Sequence, residues 1–185
     1  MSGPTIVVAR KSGAAALKKR MEGLTKMAAY VGVPSSTSRD RSAQLLGMAG
    51  TASPKRKKQL TKTAQSDITN AETLFLLSKG SPARRQPPRP VLEPAIAAAD
   101  NAKAIGFELA ESAKANLAGD ADGALQRLKR AALAGQNAAR RWFTDPRNNW
   151  APNAPSTVKR KGSDRPGIDT GATRAAIVGI VGESK

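Results

Sequence analysis

The sequence contains no cysteine and no histidine. Without cysteine there is no disulfide framework, no thiol nucleophile and no thiolate metal site. Without histidine the usual general base and the usual zinc ligand are missing, and no Ser-His or Cys-His pair can form. Catalysis would have to run on carboxylates, lysines or hydroxyls. The composition therefore reads against an enzyme, and no cofactor or metal is expected. Aromatic residues make up 3% of the chain, too few for the stacking platforms of single-strand and RNA binders. Neither zinc-finger spacing nor a convincing helix-turn-helix is present. No apolar run approaches the roughly 18 residues of a membrane span, so no membrane partner is expected. The opening "MSGPTIVVARKSG" has an apolar stretch far short of a signal-peptide core. The expectation is cytoplasmic synthesis without processing.

Acidic residues are also scarce. Asp and Glu number 14 against 31 Lys and Arg, a net charge of +17. The excess sits at the ends: about +11 over residues 1–62, near −2 over 63–123 and about +8 over 124–185. Basic flanks around a near-neutral middle suit an anionic partner, either nucleic acid or an acidic protein surface. A solvated surface is the simpler account of the same charge.

Helical spacing of Leu17, Met21, Leu24 and Ala28 predicts a helix over 13–29 with Ser12 as its N-cap. "AYVGVP" (Ala29 to Pro34) reads as a short strand ended by proline. Residues 35–65 are rich in Ser, Thr, Gly and charge and read as a long basic loop or arm, with a cation tetrad at Lys55, Arg56, Lys57 and Lys58. Thr69 to Glu72 fits a capping box, followed by apolar residues at helical spacing and Gly80 as a stop. "SPARRQPPRPVLEP" packs five prolines and three arginines into 14 residues. It reads as a stiff connector rather than as a PxxP ligand.

An Ala-rich helix is predicted from Leu92 to Leu117, with Leu92, Ile96, Ala99, Ile105, Leu109 and Ala113 inward. "GDADG" breaks it, and Asp120 or Asp122 caps a second helix over 122–143 that buries Leu125, Leu128, Ala132, Ala139 and Trp142 or Phe143. So many alanines imply close helix approach and a thin core, which favours support from neighbouring subunits. Residues 144–167 read as a loop anchored by Trp150, since tryptophan is costly to leave in water. "AAIVGIVGE" reads as a strand that pairs with "AYVGV". The expected fold is α+β: several helices on a small, mainly antiparallel sheet, with long basic loops or arms. Residues 1–34 give a first helix and strand, 35–65 the arm, and 66–185 the rest of one domain.

"IDTGATRAAIVG" (Ile168 to Gly179) spells the active-site strand of an aspartic protease. Such a subunit needs a flap and most of a β-barrel after its Asp-Thr-Gly, on the order of 70 residues, to set two carboxylates around one proton. Only 14 residues follow Gly171, and the upstream sequence is helical. The stretch reads instead as a tight turn. Asp169 would be an Asx-type cap, Gly171 would supply the unusual backbone angle, and Thr170 and Arg174 would fix the start of the last segment.

Four segments occur in order: "QPPRPVLEPAI" (Gln86 to Ile96), "RRWF" (Arg140 to Phe143), "NNWAPNAPSTVKRKGSDRP" (Asn148 to Pro166) and "IDTGATRAAI" (Ile168 to Ile177). Together they resemble the tail-completion and virion-morphogenesis proteins of tailed bacteriophages, the minor tail proteins of the neck. That family is recognised by a PPRPFL-type segment, a W-x-P-x-SP-x-T-x-x-x-KGS loop and a PLIDTG-x-L-R-x-SI ending. The likeness covers roughly Thr69 to Glu183. Val91, Ala154, Gly167 and Thr173 depart from it, standing where Phe, Ser, Leu and Leu are usual. Residues 35–65 have no counterpart.

The resemblance implies a non-enzymatic virion subunit, assembled in the host cytoplasm, that completes the tail and joins it to the head. The implied assembly is a homo-oligomeric ring, expected to be six-fold, around the path of the genome. Implied partners are other neck and tail proteins, such as the connector, tail terminator or tail tube, with genomic DNA nearby. The residues expected at subunit or partner contacts are Lys55, Arg56, Lys57 and Lys58 on the arm, Arg84, Arg85 and Arg89 at the proline connector, and Lys159, Arg160 and Lys161 before the final strand. The alternative reading of the charge is a basic nucleic-acid-binding protein.

Overall fold

The computed structural model describes residues 11–24, 26–34, 40–66 and 68–184. The apolar stretch before Lys11 and residues 35–39 of the expected arm lie outside the described residues. The fold is α+β, with helix dominating. In chain order the elements are α1 (Lys11–Leu24), β1 (Met27–Gly32), α2 (Asp40–Gly50), α3 (Pro54–Ala64), α4 (Asn70–Lys79), α5 (Leu92–Ala97), α6 (Ala99–Ala118), α7 (Ala121–Trp142), α8 (Pro155–Lys161), α9 (Ala172–Ala175) and β2 (Val178–Glu183). Short 3-10 turns follow α4 and α7, at Pro82–Arg84 and Pro146–Asn148.

α7 organises the molecule. It lies along α6 and against both strands, and its apolar stripe buries Leu128, Ala132, Ala139 and Trp142. Alanines on that stripe let backbones approach closely. Gly179 of β2 sits so near the Ala132 carbonyl that a β-carbon there would lie 2.1 Å from its oxygen. The Asp120 carboxylate caps α7 by accepting the Gly123 N–H at 2.8 Å. β1 and β2 pair antiparallel from Met27↔Glu183 to Gly32↔Val178, as the two apolar runs predict. One face of this ribbon meets α7, and the opposite face carries the cross-strand pair Tyr30 and Ile180, both exposed.

The capping box of α4 is complete: Thr69 Oγ1 accepts the Glu72 N–H at 3.1 Å, and the Thr69 N–H donates to Glu72 at 2.8 Å. Gly80 ends α4 at φ +73°. The predicted single helix from Leu92 to Leu117 is instead two, divided at Ala98, whose ψ of 129° is extended. The break is polar in origin, because the buried Asn101 amide donates to the Ala95 carbonyl at 2.8 Å and holds the turn open. Of the expected inward positions, Ala99 and Leu109 are exposed, while Ser112 is buried and donates to Ala124 O at 2.8 Å. α1 begins at Lys11, which puts Ser12 inside the helix rather than at its cap.

The expected arm is the main correction. Its described part, from Asp40 on, forms α2 and α3, an antiparallel helical hairpin with a small core of Leu45, Ala49, Leu60 and Ala64. Ser42 Oγ ties its open end by donating to Ala64 O at 2.8 Å. Abundant Ser, Thr and Gly suggested a loop, but four apolar residues at four-residue spacing suffice for a two-helix contact. Part of the predicted 144–167 loop is likewise helical, as α8, with Pro155 at its first position.

The larger core gathers Leu74 and Leu77 of α4, Val91 and Ala95, Ala139 and Trp142 of α7, Phe143 and Ile177. Trp150 and Ile168 pack against it. Trp150 meets Phe143 edge-on with ring centroids 5.7 Å apart, so the loop after α7 is pinned to the core by its tryptophan.

Candidate functional site

Three basic segments far apart in sequence meet around the turn before α9. The turn works as a small device. Gly171 adopts φ +81°, and Thr170 Oγ1 accepts the Ala172 N–H at 3.2 Å. The expected Asx role falls to this threonine. The Asp169 carboxylate instead faces Arg56 of α3, whose Nη2 donates to it at 2.5 Å. A carboxylate beside a guanidinium gains more from that charge-assisted bond than from a neutral backbone donor.

Beside this pair lies a cleft of about 90 Å³. α2 supplies Arg41, α3 supplies Arg56, Gln59 and Thr63, α4 supplies Thr73, and the turn with α9 supplies Asp169, Thr170, Thr173 and Arg174. Arg41 donates from Nη1 to Thr73 Oγ1. Its Nε is shielded from solvent and has no hydrogen-bond partner among the described residues. Burial pushes the Arg41 guanidinium below its ordinary value, and the attraction of Asp169 offsets this only in part. Nearby, the Lys161 ammonium is pushed down by burial first. Arg89, Arg160 and Arg56 act in the same direction, against Asp169. Arg174 also lines a broader cleft of about 500 Å³ with Arg140, Arg141, Asn101 and Asn137, and no carboxylate among the described residues lines it.

The expected contact residues divide on inspection. Lys55, Lys57, Lys58, Arg85, Lys159 and Arg160 are exposed. Arg84 closes the 3-10 turn, and Arg85 follows it at φ +50°. Arg56 is paired to Asp169 and to Gln59, and Lys161 donates to Arg165 O at 2.8 Å. Arg89 is a correction. It is 7% exposed and its Nη2 donates to Ala151 O at 2.9 Å, so it ties the proline connector to the Trp150 loop rather than facing a partner. The two flanking prolines withhold N–H donors, and the guanidinium supplies a donor where the chain has none. Arg140 works in the same way, from Nε to Ile177 O at 2.8 Å and from Nη2 to Ala175 O at 2.7 Å.

The sequence reading missed Arg41. A signal existed: Arg41, Leu45 and Ala49 repeat the spacing of Arg56, Leu60 and Ala64, with each arginine one helical turn before a buried leucine. Among the described residues no group of three acidic side chains is placed to hold a metal ion.

Fold and site together define a mainly helical α+β chain whose concentrated polar chemistry is an arginine-lined cleft. Comparison with family models, with curated proteins and with solved structures finds no match. No helix among the described residues is long and apolar enough to cross a membrane.

Proposed function

We propose that this chain is a structural subunit of a tailed-phage virion, sited at the neck or head-proximal end of the tail. There it completes the tail and joins it to the head as part of an oligomeric ring. The observation that carries the reading is the set of four ordered motifs, from the Pro-Arg-Pro segment to the Asp-Thr-Gly turn, at spacings that resemble the neck family. The packing gives those motifs a common purpose. Val91 and Ala95 come from the first, Trp142 and Phe143 from the second, Trp150 from the third, and Ile168 and Ile177 from the fourth, all at one core. Arg89 joins the first motif to the third, and Arg140 joins the second to the fourth. A set of motifs that specifies one packed frame, rather than one reactive centre, suits a subunit whose task is shape.

The surface is compatible with the reading. Phe75 and Phe107 are 61% and 58% exposed, and Met21, Leu46 and Leu133 are each more than half exposed. Such side chains are available to be covered where subunits associate. A ring subunit needs two faces, one for each neighbour.

Electron microscopy of particles made by an amber mutant of this gene tests the reading. The expected result is full heads and tails that fail to join, or tails with an incomplete head-proximal end. Normal joining of intact tails to full heads would contradict it. Tight duplex DNA binding by the purified chain, with a steep inverse dependence on salt, would favour the nucleic-acid alternative instead.

A further inference from the structure

We propose that the cleft walled by Arg41, Arg56 and Arg174 is a binding site for a phosphate-class oxyanion. The inference does not depend on the neck reading. It rests on an imbalance of charge and of donors within a small enclosed space. Among the described residues, three guanidinium groups line the cleft and Asp169 is its one carboxylate. That carboxylate is committed to Arg56, from the half-exposed side. Among the described residues Arg41 has only a neutral hydroxyl, Thr73 Oγ1, as hydrogen-bond acceptor, and its shielded Nε has none. The Arg174 guanidinium forms no ion pair among the described residues.

A partly desolvated guanidinium without a matched acceptor is unfavourable, and its planar fork fits the oxygens of a phosphate or sulfate. An oxyanion between Arg41 and Arg174 would supply acceptors to both. At about 90 Å³ the cleft has room for one such group. The oxyanion has two sources of the same chemistry: free phosphate, or a phosphodiester of a nucleic-acid backbone whose neighbouring phosphates would run toward exposed Lys55, Lys57 and Lys58.

The test uses the purified full chain in chloride buffer. Inorganic phosphate is titrated in by calorimetry, with sodium chloride at matched ionic strength as the control. Phosphate is expected to bind, and Arg174→Met is expected to weaken it about tenfold, the loss of one charge-assisted contact. Asp169→Asn, which removes the competing carboxylate, is expected to tighten it. Lys129→Met, an exposed cation that does not line the cleft, removes the same charge as Arg174→Met and is expected to leave phosphate affinity almost unchanged, which separates a site from general charge attraction; an equal loss in both would overturn the proposal. In a second arm a short DNA duplex is titrated. Weakening of the duplex by Arg174→Met identifies the backbone as the source, and an unchanged duplex affinity beside weakened phosphate binding identifies the free ion. Phosphate acting no differently from chloride, or neither Arg174→Met nor Asp169→Asn altering phosphate affinity, would overturn the proposal.

Discussion

Gly179 shows how much a single position can decide. A β-carbon there would meet the Ala132 carbonyl oxygen at 2.1 Å and its carbon at 2.5 Å, and neither backbone can retreat without parting β2 from α7. Gly179→Ala is therefore expected to cost at least about 3 kcal/mol, the upper range for overpacking, read as a lowered urea midpoint. Arg147 offers a test of a different kind. It bonds Asp145 at 2.7 Å and Asp100 at 2.8 Å and lies 5.7 Å from the Trp142 ring. Its hydrogen bonds hold the Asp145 carboxyl down at about 2, from an ordinary 3.8. A depressed carboxyl stabilises the fold fully above its unfolded value, and that contribution drains away as pH falls through the folded one. Urea melts of the parent and of Arg147→Met should differ at neutral pH and converge as pH approaches about 2. A difference that persists unchanged in acid would assign the loss to packing on Trp142. At this scale the sequence was legible where chemistry is local. The Thr69 capping box, the Asp120 cap and the Gly171 turn all follow from residues within a few positions of one another. Arg89 was not legible, because its acceptors lie more than 60 positions away and only the fold brings them near.

Among the elements, the contrast is between α7 and the α2–α3 hairpin. α7 announces itself by an apolar stripe sustained over 22 residues and a capped start. The hairpin has 11-residue helices and little more than two leucines and two alanines between them. Short helices of such sequence form by packing rather than by propensity, so they are hard to see before the partner helix is known. The same small core makes a prediction. Leu60→Ala is expected to cost about 2–4 kcal/mol locally and to speed amide exchange throughout 40–64. Exchange in α6 and α7 should be almost unchanged, since their core is separate. Uniformly faster exchange would mean that the hairpin and the main core melt as one unit. The division at Ala98 teaches a related lesson. Helical periodicity runs on through it, and one buried asparagine bond to the Ala95 carbonyl decides otherwise.

For the whole molecule, the dominant facts are a +17 charge and a core rich in alanine. The absence of cysteine and histidine narrowed the chemistry early. The fold class followed from helices flanking two short apolar runs that do pair. Charge alone could not say which cations face outward. The structure turns Arg89 and Arg140 inward as ties, pairs Arg56, and leaves Lys55, Lys57, Lys58, Lys159 and Arg160 on the surface. Those exposed cations, with the uncovered Phe75 and Phe107, are the surfaces that the proposed assembly would use.

A cryo-electron microscopy map of the virion neck tests that proposal most directly. The account predicts density for this chain in a closed ring between head and tail, with Phe75 or Phe107 covered by a neighbouring subunit. A neck fully accounted for by other chains, with this one absent from the particle, would contradict it.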